Sequence, residues 1–393
     1  MTNDVKKVPE LRFPEFSGEW EEKMLGDVLT ILDGDRGKNY PSGSDFLEYG
    51  HTLFLNASNV TKNGFSFTLK QYITEKKSIS MGNGKLVKND VVLTTRGSIG
   101  NIGWYDEEIY RKTPYARINS GMLILRSNNK DMASFVSQFL MSTKGKRQID
   151  RISFGSAQPQ LTKKDIKLYR IDFPQIKEQQ KIGDFFSKLD RQIELEEQKL
   201  SLLEEQKKGY MQKIFSQELR FKGNNGEEYP KWESKKLEEV AIINTGKSKI
   251  VNEESAAYSN LGSTGVLGKS SHYEYDGNFI LTARVGHYAG KLYNFSGKAN
   301  ISDNTIFLET DLNLNFTLNM LNNYNLKRIA FGSGQPLIKS SELKKLIFNI
   351  PCGEEEQKIG GFLSGFDSLI GKQSHKIELL KERKKGFLQK MFV

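Results

Sequence analysis

Two short stretches carry side chains suited to reading a polyanion: Arg96-Gly97-Ser98-Ile99-Gly100-Asn101 and its counterpart Arg284-Val285-Gly286-His287. A guanidinium can fork onto a guanine edge or a phosphate, and glycines beside it let the backbone approach a ligand closely. The plain alternative for each arginine is a solvated loop residue. Arg111, Lys112 and Tyr115 form a second basic and aromatic patch. Lys247, in Thr245-Gly246-Lys247, and Thr61-Lys62-Asn63-Gly64 read as turns that carry a cation. Gln158 and Gln335 sit at the same place in two matched Gly-Ser-x-Gln-Pro stretches. Their amides suit an adenine edge, and the stretches serve equally well as structural turns.

No arrangement of residues suggests covalent chemistry. There is no Asn-Pro-Pro-Tyr-like methyl-transfer motif and no phosphate-binding G-x-x-x-x-G-K-[ST]. The histidines at 51, 272, 287 and 375 are scattered, and the single Cys352 rules out a disulfide framework or a multi-cysteine metal site. Gly97, Gly100 and Gly103 do not make G-x-G-x-x-G. We therefore expect no catalytic residue, no metal and no cofactor in this chain. Lys plus Arg number 58 against 48 Asp plus Glu, a net charge of +10 that suits a polyanionic partner. With 37% hydrophobic and 11% aromatic residues, the 393 residues can build the cores of two or three domains. The opening MTNDVKKVPELRFPEF has no apolar run of signal-peptide length, and a cytoplasmic location is expected.

An internal repeat organises these candidates. Phe154 to Phe215 aligns with Phe331 to Phe392 without a gap at a constant offset of 177, with 26 identities over 62 positions. A lead-in repeats as well: Leu11-Arg12-Phe13, Trp20 and Val28 match Leu219-Arg220-Phe221, Trp232 and Val240. The intervening parts diverge, 126 positions from Val28 to Phe154 against 91 from Val240 to Phe331. Matched tails should do one job twice, and diverged middles related but different jobs. Short β-like runs such as DVVLTTR, GMLILR, NFILTAR and NTIFLE, with Gly- and Asn-rich turns, make each middle a small α+β module.

The tails read as long helices. Apolar residues step by four and three through Ile182, Phe186, Leu189, Ile193, Leu200, Leu203, Tyr210 and Ile214. The second copy runs through Ile359, Leu363, Phe366, Ile370, Ile377, Leu380, Phe387 and Met391. A period of about 3.5 over about four heptads is a coiled-coil seam. Polar residues interrupt it at matched places, Glu196 with Gln373 and Lys207 with Lys384, as partner contacts or a frayed coil. Carboxylates at 178 and 354–356 and lysines at 207, 208, 384 and 385 suit the two ends of the helix dipole. Gly183 with Gly360, and Gly209 with Gly386, weaken a helix interior by about 1 kcal/mol each, which suggests close packing. Two unrelated solvent-facing helices are the alternative to mutual packing.

Two variable modules, each followed by a Pro-x-x-x-Glu-x-Gln-like helix start and a helix closing on Lys-Lys-Gly-x-x-Gln-Lys, resemble the specificity subunit of Type I restriction–modification systems. The starts are Pro174, Glu178, Gln180 and Pro351, Glu355, Gln357. The resemblance implies an α+β chain with target-recognition domains at 1–173 and 218–350 and long helices at 174–217 and 351–393. The helices would pack as an antiparallel coiled coil with approximate two-fold symmetry. It also implies that each domain reads half of a split double-stranded DNA site while the helices set the spacer. Two methyltransferase subunits, which bind S-adenosylmethionine, would dock on the helices, and motor-nuclease subunits would join the full complex. The rivals are a coiled-coil scaffold with two protein-binding modules and no DNA role, and a self-contained restriction or modification enzyme.

Overall fold

The structure is a computed structural model that describes residues 7–153, 160–332 and 334–393. The chain forms two compact units, Met1–Leu195 with Ile377–Val393, and Glu196–Lys376. Each unit therefore holds one globular reader and parts of both long helices.

In the first unit an antiparallel sheet runs in the order Thr30–Asp33, Met122–Arg126, Val91–Thr94, Ile102–Trp104. The runs VVLT and MLIL are buried throughout, as a strand covered on both faces requires. Side chains alternate across the sheet. Val91, Leu93, Leu123 and Leu125 pack with Phe135 and Phe139 of the helix Lys130–Met141. Val92, Met122 and Ile124 pack the other way, with Leu53, Leu55 and Ile118 of a three-stranded sheet. A two-stranded ribbon, Glu21–Met24 with Arg170–Phe173, ties the lead-in to the start of the tail.

The second unit repeats the plan with a larger sheet. Six strands run in the order Ala241–Thr245, Thr305–Thr310, Tyr275–Ala283, Leu292–Ile301, Tyr258–Gly262, Gly265–Ser270. Ile280, Ile306 and Leu308 face the helix Leu314–Tyr324, while Phe279, Leu281 and Phe307 build a separate aromatic cluster. Glu233–Lys236 pairs with Ile347–Ile350 as the matching ribbon.

The tails are helices of 40 residues, Ile176–Phe215, and 38 residues, Gly353–Lys390. Within each unit they pack antiparallel. In the first, Phe185 meets Phe387 at 5.0 Å between ring centroids, Phe186 meets Phe392 at 5.9 Å, and Lys384 pairs with Asp190 at 2.5 Å. In the second, Tyr210 meets Phe362 at 5.2 Å and Phe366 at 5.6 Å, and Lys207 pairs with Asp367 at 2.6 Å. Gln373 Nε2 donates to the Glu196 carbonyl at 2.8 Å and to its carboxylate at 2.7 Å. The polar interruptions of the seam are thus partners for the helices themselves. Lys207–Asp367 and Lys384–Asp190 are the same pair with the copies exchanged.

Of the expected seam, Ile182, Phe186, Leu189, Ile193, Ile359, Leu363 and Ile377 are buried. Leu200, Leu203, Phe366, Ile370, Leu380 and Phe387 are half-buried, and Tyr210 is exposed apart from its ring contacts. Gly183 and Gly360 do allow close packing. A Cβ on Gly183 would meet Ser134 Oγ at 2.5 Å, and one on Gly360 would meet Asn313 Oδ1 at 2.2 Å. Gly209 and Gly386 have nothing within 4 Å of such an atom, which corrects the expectation of a packing role for them.

Each helix start is bolted to its lead-in by a forked ion pair. Arg12 Nε and Nη2 each donate at 2.7 Å to Glu178, whose side chain is fully buried. Arg220 does the same to the fully buried Glu355 at 3.1 and 2.5 Å, and Trp232 Nε1 adds a donor at 2.9 Å. Helix ends also complete the reader cores: Leu388, Met391 and Phe392 fill the first, with Phe392 against Trp20, Phe135 and Phe139, and Met211, Ile214 and Phe215 do so in the second.

Two outcomes follow. Removing one partner of a buried pair strands the other charge, so Arg220→Ala should destabilise the second unit by about 3–5 kcal/mol. An unchanged urea midpoint would show that the pair holds nothing. Phe392→Ala should cost the first unit about 3–5 kcal/mol through the cavity left in an aromatic cluster. Thermal unfolding monitored by tryptophan fluorescence, to which the adjacent Trp20 contributes, would measure it.

Candidate nucleic-acid interface

The first candidate loop leaves the sheet directly after the buried strand Val91–Thr94. Two left-handed turns, at Gly97 (φ +72°) and Gly100 (φ +81°), fold it back on itself. The buried Thr94 hydroxyl staples it, donating to the Ser98 carbonyl and accepting from the Asn101 amide at 2.9 Å. Arg96, Gly97 and Ser98 are consequently presented to solvent on a braced turn. Arg96 Nε donates to Gln160 Oε1 at 3.2 Å, a neutral partner that orients the guanidinium, and no carboxylate pairs with it among the described residues. Asn101 is committed internally, because its side-chain amide donates to the Val60 carbonyl at 2.8 Å.

In the second reader the corresponding loop is laced to the start of the tail. Arg284 N donates to Asn304 O at 2.9 Å, Ile338 N to Arg284 O at 2.8 Å, and Gly286 N to Pro336 O at 2.9 Å. This brings the exposed Arg284 and His287 beside the exposed Gln335, three residues proposed separately from the sequence. Exposed Tyr288, Phe331 and Lys339 join them, with the Lys339 ammonium 5.7 Å from the Phe331 ring and Lys291 5.7 Å from that of Tyr288. Cations held over exposed aromatic faces suit a surface that meets phosphates and bases.

Sheet register refines the match between the two loops. Thr94 pairs with Met122 and Ala283 with Thr305, and Thr95 N and Arg284 N donate to the equivalent Gly121 and Asn304 carbonyls. Arg284 thus occupies the position of Thr95, one residue from the Arg96 that sequence similarity paired it with. Successive residues of an extended chain point to opposite sides, so the two arginines are different devices on one scaffold.

Lys247 lies on the turn beside this loop: Gly246 N donates to Thr305 O at 2.9 Å, and the lysine side chain is exposed. The first reader has the same turn at Gly34, whose N–H reaches Met122 O, and there it carries an exposed Arg36. Arg36, Tyr288 and Lys339 escaped the sequence reading. The signal for Arg36 was the shared glycine, visible only once the strands are paired.

The patch at Arg111, Lys112 and Tyr115 changes character. The helix Glu107–Lys112 carries its own counter-charges, with Lys112 2.7 Å from Glu108 and 3.9 Å from Glu194, and Arg111 3.9 Å from Glu107. The Glu108 hydrogen bond raises the Lys112 pKa and Lys112 lowers that of Glu108, as expected of a satisfied pair. Tyr115 stacks on His51 at 4.1 Å. This face is charge-compensated and offers little net attraction to phosphate. Gln158 lies outside the described residues.

Among the described residues, no group of three or more His, Cys, Asp or Glu side chains could hold a metal ion, and no helix is long and apolar enough to cross a membrane.

Comparison with known proteins bears on this arrangement directly. The profile of the Type I restriction modification DNA specificity domain matches residues 17–205 and 229–382, once for each copy. The Type I restriction enzyme MjaVIII specificity subunit of Methanocaldococcus jannaschii is 32% identical over 122 residues, covering 29% of this chain and 28% of that protein. A putative Type I restriction enzyme MjaX specificity subunit of the same organism is 22% identical over 94% of this chain and 92% of its own length. The crystal structure of the S subunit of a Type I restriction–modification system from M. genitalium superposes with a TM-score of 0.66 at 15% identity, covering 98% of this chain and 99% of that one. A structure from work on assembly and conformational transition of the Type I system gives 0.54 at 16% identity, over 95% and 97%. With the family profile spanning both readers and most of both helices, the chain belongs to the Type I restriction–modification DNA specificity family.

Proposed function

We propose that this chain is the non-catalytic reading subunit of a Type I restriction–modification complex, each reader recognising one half of a bipartite double-stranded DNA site. One observation carries the proposal: the anchoring parts are duplicated residue for residue while the exposed loops differ. Arg12–Glu178 and Arg220–Glu355 repeat one another, as do Lys384–Asp190 and Lys207–Asp367. The reading loops instead carry Arg96-Gly97-Ser98 in one copy and Arg284-Val285-Gly286-His287 in the other. Identical supports beneath different surfaces suit identical partners acting on two different half-sites.

In this reading the paired helices set the unread spacer and dock two methyltransferase subunits. Leu202 and Leu379, at equivalent positions of the two tails, remain 54% and 51% exposed and support a duplicated apolar contact. Methylation, with its S-adenosylmethionine, and cleavage by motor-nuclease subunits would reside in those partners.

Mapping methylated adenines across the genome, with and without this gene, tests the proposal. Its loss should abolish methylation at one split motif and leave other motifs alone. Replacing the first reader with a relative's should change one half of that motif only. A methylation map indifferent to the gene would favour a scaffold without a DNA role.

A further inference from the structure

Basic residues without counter-charges mark a second contact on each reader. In the first unit the helix Thr143–Ser153 turns Gly145 and Ile149 to the core and leaves Lys146, Arg147 and Arg151 exposed. Arg147 and Arg151, four residues apart, share a face. Among the described residues neither has a carboxylate within ion-pair distance, in contrast to Arg111 and Lys112 with their glutamates.

This helix lies against the reading loop. Ile149 Cγ2 is 3.1 Å from where a Cβ of Gly100 would stand, and Asn101 bonds to the Val60 carbonyl, two residues from Lys62. The second unit has a shorter counterpart in the turn Leu326–Ile329, with Lys327 and Arg328 exposed. It too abuts its reading loop, since a Cβ on Gly290 would lie 3.0 Å from Lys327 N. Arg328 has no ion-pair partner among the described residues either. Arg151-Ile152 and Arg328-Ile329 stand at the repeat offset of 177, just ahead of the matched tails. An arginine is therefore kept at the edge of two otherwise diverged readers, solvent-facing and unpaired in both.

We infer that Arg151 and Arg328 are matched phosphodiester contacts, one on each reader, which orient the duplex against the reading loops without reading its sequence. The inference rests on the DNA-binding role proposed above and assigns it a division of labour. Phosphates are the same at every site, so their contacts can stay constant while base contacts change.

The test uses the full-length chain and two labelled duplexes, one carrying the split motif found by methylation mapping and one of equal length with that motif shuffled. Binding is followed by fluorescence anisotropy across a salt series for wild type, Arg151→Ala, Arg328→Ala, the double variant and Arg151→Lys. Each alanine should weaken both duplexes by the same factor and reduce the log–log salt slope by about 0.9, the double by about 1.8. Arg151→Lys should retain most of the slope. Because both side chains are exposed, melting temperatures should match wild type and exclude misfolding. Unchanged slopes and affinities would overturn the inference, as would a loss confined to the motif-bearing duplex. If the wild-type chain binds neither duplex in a salt-dependent way, the DNA-reading function fails, and the inference with it.

Discussion

Two helices with matched apolar seams, packed antiparallel, could slide by a heptad and still bury leucines. The polar contacts across the seam make sliding costly. Lys207 must find Asp367, Lys384 must find Asp190, and Gln373 must find the backbone and carboxylate of Glu196. A shift of one heptad, about 10 Å at 1.5 Å per residue, would break every one of these contacts. A polar residue in a seam lowers stability and specifies register in exchange. Such pairs at the surface would be weak, but Lys207 and Lys384 are largely sheltered by the seam, so a misaligned register would leave them partly buried and unpaired.

The readers depend on that registration through the helix ends. The N-terminal turns hold the lead-ins by buried Arg–Glu forks, and the C-terminal turns supply Ile214, Met391 and Phe392 to the reader cores. Gly183 and Gly360 let the helix backbones lie close to the reader helices at equivalent places. A reader is therefore set on its helix by a fork, a backbone contact and an aromatic plug, leaving its loops free to vary. The copies are not identical in this: Trp232 donates to Glu355, while Trp20 Nε1 has no hydrogen-bond partner among the described residues.

On the readers the same economy separates support from recognition. Strands buried on both faces hold the scaffold, and alternation sends neighbouring residues to different clusters. A one-residue difference in register, Thr95 against Arg284, is then enough to aim a guanidinium differently from the same sheet. Surface charge counts for binding only where it is not already paired, which separates the helix at Arg147 and Arg151 from that at Arg111 and Lys112.

Much of this was legible in the chain. The offset of 177, the four–three stepping of apolar residues and the repeated lead-in specified two readers, two long helices and their mutual packing. Those signals are periodic, and periodicity survives without coordinates. Four matters were decided only by tertiary structure. The seam's polar residues proved to find their partners on the facing helix, since residues 160 apart in the chain meet only when the helices fold back. Gly209 and Gly386, identical in the copies, proved to pack on nothing. The Arg111 patch lost its net charge to carboxylates brought beside it, one from the long helix. Arg284, His287 and Gln335, up to 51 residues apart in sequence, became neighbours through backbone bonds between the loop and the tail's start. A sequence states which charges and amides exist; which of them remain free to meet a ligand depends on what the fold places within 4 Å, and that is a three-dimensional fact.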